Sequence, residues 1–233
     1  DTPRVFAGGY QPGNAGGNYY GEVTLREALS RSLNVATVDL AEKVGVAALR
    51  AQLERFGISP AEKDADLALA LGSMTEGVSP ARLCAAYCAL ANGGRRVEPH
   101  TVRKIVSSDG RVLYEAPQTE ERAVSAETAC MLTDMLRTAA AEGSANALSA
   151  VGTNVAGKTG TVDMESGGNR DAWTVAYTPK LAVAVWMGFD EPDAEHSLPD
   201  WAGGSSYPAR SCASFLSSAG DAWLKGDFYT PET

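Results

Sequence analysis

The sequence predicts an α+β domain in which an antiparallel sheet packs against a helical lobe, and three observations carry that expectation. Before about residue 150, apolar residues recur at helical spacing between good start and stop residues. After it, three β-rich runs at 155–162, 172–178 and 181–189 follow one another closely. The 233 residues, 44% apolar and 21% charged, suffice for one sizeable core.

Residues 1–23, rich in Gly, Asn, Pro and Tyr, read as an irregular crossing segment. Thr24-Leu25-Arg26-Glu27 is a capping box that opens a helix over 24–31. Past Ser32-Leu33-Asn34 a second helix carries Val35, Val38, Leu40, Ala41 and Val44 as apolar positions and stops at Gly45. A third spans about 46–56, and the stretch 59–77 is mixed. Ser79-Pro80 starts a helix over 80–91, with Leu83, Ala86, Tyr87 and Leu90 on one face and Gly93-Gly94 behind it. Residues 95–116 read as a hairpin turning at Ser108-Asp109-Gly110. Ser125 caps a helix over 126–141 whose Met131, Leu132, Met135 and Leu136 make a buried stripe. Thr178-Pro179-Lys180 is a tight turn that pairs the last two β runs antiparallel, and 207–218 forms a closing helix. The expected organisation is thus a helical lobe at about 24–93 and 125–145, a hairpin excursion at about 95–120, and a sheet with its closing helix at about 152–219.

A net charge of −9 argues against nucleic acid and against a basic grip on anionic lipid. No apolar run is long enough to span a bilayer. The chain opens loop-like, at Asp1-Thr2-Pro3-Arg4, which raises the expectation of a segment upstream. Cys84 and Cys88 stand four apart on one helix, a poor disulfide geometry, and Cys130 and Cys212 stand alone. With no Cys-x-x-Cys, all four are expected as buried small apolar residues. His100 and His196 are the only histidines, so a zinc site or a Ser-His-Asp triad is hard to assemble. Any acyl chemistry must take its proton traffic from a lysine.

Lys158-Thr159-Gly160-Thr161 lies in the first β run. Alternate strand residues share a face, so the Thr159 and Thr161 hydroxyls line one face, where they can grip a carboxylate. Lys158 points the other way and sets positive charge beneath the site. Gly160 omits a side chain where backbone must approach another element. The strand's free N–H groups can donate to the oxyanion of a tetrahedral intermediate. Ser32-Leu33-Asn34 sits in the tight loop between the first two helices. Ser32 or Asn34 can cap the helix that follows. The same two residues can face a groove, Ser32 passing a proton to a leaving amine and Asn34 holding a substrate amide.

With these motifs go Tyr20-Gly21-Glu22-Val23-Thr24-Leu25-Arg26-Glu27-Ala28-Leu29, Gly77-Val78-Ser79-Pro80, Ala91-Asn92-Gly93-Gly94 and Asp171-Ala172-Trp173. Together and in this order they resemble the transpeptidase domain of the penicillin-binding proteins, most like the class A bifunctional type, from about residue 9 to 215. The resemblance implies a penicillin-binding/serine β-lactamase-like fold and a D,D-transpeptidase that cross-links peptidoglycan stem peptides ending in D-Ala-D-Ala. It implies β-lactam antibiotics as ligands that acylate the same serine. Ser32 and Asn34 would form the second family motif, and Lys158, Thr159, Gly160 and Thr161 the third. The Thr161 N–H would be half of the oxyanion hole. No metal or organic cofactor is implied. The family works on the extracytoplasmic face of the bacterial membrane, anchored by an N-terminal helix that these residues do not include.

One family motif is missing from the chain. The lysines stand at 43, 63, 104, 158, 180 and 225, and none has a serine three residues before it. Thr101-Val102-Arg103-Lys104 has the spacing but falls in the expected hairpin, whereas a nucleophile and its base must meet on adjacent turns of a helix. The expected chain is therefore the C-terminal part of a transpeptidase domain, inactive by itself, with its nucleophile on an upstream segment or another chain. The alternatives are a non-catalytic penicillin-recognising sensor or pseudoenzyme, and a serine β-lactamase.

Overall fold

A computed structural model describes residues 1–152 and 154–231. Helix α1 (Leu25–Arg31) starts where the sequence says. The Thr24 side chain accepts from the Glu27 N–H, and the Glu27 carboxylate takes the Thr24 N–H in return. Helices α2 (Asn34–Val44) and α3 (Val46–Arg55) break at Gly45. On α2 only Val35, Val38 and Ala41 are buried, joining Phe6 and Leu67 in one cluster. The expected apolar positions Leu40 and Val44 instead face solvent, because the core-facing stripe runs through 35, 38 and 41 alone.

Helix α4 (Pro80–Ala91) is capped by Ser79, and α5 (Ala126–Ala141) by Ser125. The buried stripe of α5 is Ala129, Thr133, Leu136, Ala139 and Ala140. Met131 is exposed, because the face opposite that stripe has nothing to pack on. Between α4 and α5 the hairpin forms as β2 (Lys104–Val106) against β3 (Val112–Glu115). Around it β1 (Arg95–Val97) pairs with β4 (Glu120–Arg122), an association the sequence did not reveal.

Strands β5 (Ala156–Asp163), β6 (Asn169–Tyr177) and β7 (Ala182–Gly188) form one antiparallel sheet in that order. Helices α4 and α5 cover one face, and α6 (Tyr207–Ser218) covers the other with the 3₁₀ segment Asn146–Val151. A short α7 (Asp221–Leu224) follows. Leu90, Ala129, Leu136, Ala156 and Tyr177 fill the first interface. Leu148, Ala176, Cys212, Ala213 and Leu216 fill the second. Of the four cysteines expected inside only Cys212 is buried; Cys84 and Cys130 are half-buried, and Cys88 is exposed on α4, in an open groove beside Pro179 and Ala182. No helix among the described residues is long and apolar enough to cross a membrane.

Candidate active site

Strand β5 is an edge of its sheet, so alternate residues turn backbone N–H and C=O away from β6. Ser32 lies beside it, as the C-cap of α1. It is the only non-glycine among the described residues with positive φ (58°, with ψ 49°). Two bonds pull the turn tight: the Ser32 N–H reaches the Leu29 carbonyl at 3.2 Å, and the Leu33 N–H the Ala28 carbonyl at 2.9 Å. Leu33 is buried, which pins the loop between its two polar neighbours.

The Lys158 ammonium donates to the Ser32 hydroxyl at 2.7 Å and to the Thr159 carbonyl at 2.8 Å. The two sequence motifs thus meet in direct contact across 126 residues. Burial pulls the Lys158 ammonium down from 10.5 to about 8, and no carboxylate among the described residues pairs with it. A lysine poised there can give up and recover a proton near neutral pH. Ser32, accepting from Lys158, keeps its own proton to donate. The pair can act as a relay that delivers a proton from Ser32 and refills it from Lys158.

Asn34 opens α2 and donates to the Gly13 carbonyl at 2.7 Å, which leaves its second amide proton and its carbonyl oxygen for other partners. Asn14, nearly buried, accepts the Val35 N–H at 3.2 Å and so caps α2 from a distance. Its own amide donates to the Asp1 carboxylate at 3.0 Å and the Asn18 carbonyl at 2.9 Å. Neither Ser32 nor Asn34 caps α2 as expected: Asn14, from the irregular opening segment, supplies the cap, while Ser32 is the C-cap of α1 and Asn34 is already the first residue of α2. Gly13 and Asn14 escaped the sequence reading, since nothing local in a glycine-rich stretch marks a cap twenty-one residues away.

Thr159 and Thr161 share a face of β5, opposite to Lys158, and both hydroxyls are already engaged. Thr159 donates to the Ser144 hydroxyl at 2.9 Å, while Thr161 accepts from the Gly204 N–H at 3.0 Å and keeps its own proton. The close backbone approach assigned to Gly160 belongs to Gly204. A Cβ at Gly160 would make only ordinary contact with Trp173, at 3.4 Å, whereas one at Gly204 would stand 2.3 Å from the Trp173 carbonyl oxygen and 2.5 Å from that of Gly160. Neither histidine comes to the site: His196 pairs with Asp193 at 2.8 Å, and His100 lies by the Glu98 carbonyl.

The family model of the penicillin binding protein transpeptidase domain matches residues 6–206. Penicillin-binding protein 1F of Bacillus subtilis (strain 168) is 37% identical over 216 residues, 92% of this chain and 29% of that protein. The chain thus spans less than a third of the length of this relative. Penicillin-binding protein 1A of Haemophilus influenzae superposes with a TM-score of 0.80 at 24% identity, over 99% of this chain and 40% of that one. The PonA1 protein of Mycobacterium tuberculosis, solved in complex with penicillin V, gives 0.79 at 27% identity over 99% of this chain and 65% of its own. The chain belongs to the penicillin-binding protein transpeptidase domain family and is related to its class A members.

Proposed function

We propose that these residues form most of the acyl-transfer site of a D,D-transpeptidase, one that cross-links peptidoglycan stem peptides ending in D-Ala-D-Ala and is acylated by β-lactams. The contact between Lys158 and Ser32 at 2.7 Å carries this reading, because it joins the proton source of one motif to the hydroxyl of the other. In the proposed roles Ser32 delivers the proton to the leaving amine and Lys158 resupplies it. Asn34 holds the substrate amide. The Thr159 and Thr161 hydroxyls hold the terminal carboxylate, and the Thr161 N–H on the free edge of β5 stabilises the oxyanion. Gly160, between the two threonines, adds no side chain to the strand edge along which the substrate would lie.

The nucleophilic serine and its lysine come, in this reading, from a segment outside these 233 residues, since no Ser-x-x-Lys occurs within them. The parent would be anchored at the extracytoplasmic face of the membrane by a further N-terminal segment. The lack of Ser-x-x-Lys also favours a second reading, a penicillin-recognising sensor without catalysis. Mass spectrometry of intact protein after incubation with penicillin separates the two. The full-length protein should gain one penicillin per molecule, and the 233-residue chain alone should gain none. A stoichiometric adduct on the isolated chain would refute the external nucleophile, and an unlabelled full-length protein would leave the sensor.

A further inference from the structure

Where α5 ends, one residue touches both the Lys158–Thr161 motif and the helical turn that leads into Ser32. The Ser144 N–H donates to the Ser30 carbonyl at 2.9 Å, tying the loop to the helical turn that delivers Ser32. The Ser144 hydroxyl accepts from the Thr159 hydroxyl at 2.9 Å. The approach is tight: a Cβ on the neighbouring Gly143 would stand 2.2 Å from the Ser30 carbonyl oxygen and 2.9 Å from the Ala139 Cα. Among the described residues, no hydrogen bond takes the Ser144 hydroxyl's own proton.

We propose that Ser144 is a positioning residue that sets the direction of the Thr159 hydroxyl, a role that rests on the transpeptidase reading of the site. In the resting geometry Thr159 donates its one proton to Ser144, which leaves none for a ligand. A hydroxyl can donate once and still accept, so the bond can reverse. When a carboxylate arrives, Thr159 turns its proton to the carboxylate oxygen, and Ser144 turns its proton to Thr159 Oγ1. One hydrogen bond changes direction, one forms, and no covalent bond changes. Ser144 itself does not touch the ligand. Its backbone bond to Ser30 holds the strand and the Ser32 loop in step, so the carboxylate grip and the proton relay stay in register.

The test uses the full-length protein and two probes, a penicillin with its free carboxylate and the methyl ester of the same compound. Stopped-flow acylation should be about tenfold slower in Ser144→Ala for the free acid, the loss typical of one hydrogen bond to a charged group, and unchanged for the ester. Ser144→Thr should restore the free-acid rate. In a Thr159→Val background, Ser144→Ala should add nothing. Equal losses on both probes, or full additivity with Thr159→Val, would show a merely structural residue and overturn the proposal. If wild-type protein is acylated and Ser144→Ala matches it on both probes, the role of Ser144 falls alone. Should wild-type full-length protein resist both probes, the transpeptidase reading falls and takes this role with it.

Discussion

Two β regions of this molecule use similar residues to opposite effect. In the β5–β6–β7 sheet, helices cover both faces, and Ala172, Val175, Ala176 and Tyr177 of the middle strand are buried. In the β2–β3 hairpin every strand residue is exposed, with Ile105, Val106, Val112 and Leu113 all facing solvent. A two-stranded pair without a covering layer is marginal in water and cannot fix side chains to a fraction of an ångström. The sheet can, and the lysine that meets Ser32 sits on it. What separates the regions is cover: apolar strand residues order a site only where helices lie over them.

The contrast can be broken most sharply at its lysines. In the full-length protein, Lys158→Ala should slow penicillin acylation by roughly a hundred- to a thousandfold, because one positioned donor in a dry site is worth several kcal/mol. Lys104→Ala removes a hairpin lysine that also has a polar partner, Glu115 at 3.6 Å, and should leave the rate within about twofold, since exposed ion pairs contribute little. Stopped-flow acylation of both variants decides it, and equal losses would remove Lys158 from the mechanism.

A stability comparison follows. Leu148, fully buried under the sheet, should cost about 2–5 kcal/mol when changed to Ala. Leu113, more than half exposed on β3, should cost within about 0.5 kcal/mol. Urea unfolding of the two variants measures both. Similar midpoints would mean that the hairpin is packed more firmly than its exposure indicates.

A further effect is expected in pH. Burial lowers the Lys158 ammonium from 10.5 to about 8, and unfolding releases it to its ordinary value. Between those limits the unfolded chain binds more protons, so this group's share of stability rises with pH. Below about 8 both states are protonated and the burial cost is present in full. Lys158→Met should therefore flatten the rise in stability across that window relative to wild type. Thermal unfolding at stepped pH reads the difference, and parallel curves would contradict the burial of the charge.

Much of this fold was legible because its signals are local. The Thr24/Glu27 box, Ser79-Pro80 and Ser125 set the starts of α1, α4 and α5 at the expected residues. The three β runs lie within about three residues of their expected limits, because their patterns are long and the turn at 178–180 is distinctive. Pairing of β1 with β4 was hidden, since the partners are short and lie on either side of a hairpin. At the site, the residues of both motifs were legible as chemistry. Gly13, Asn14, Ser144 and Gly204 were not, because each is a small loop residue whose role exists only once distant segments meet.

The left-handed backbone of Ser32 has a consequence for how this protein tolerates change. Glycine occupies that conformation without the steric penalty a side chain bears, so Ser32→Gly should hold the fold as well as serine or better. It would also leave Lys158 with no hydroxyl to meet. Two selections on the same library should then part company at this codon. Survival of heat would enrich glycine at position 32, survival on acylation would keep serine, and the disagreement would mark the residue without any structure at all.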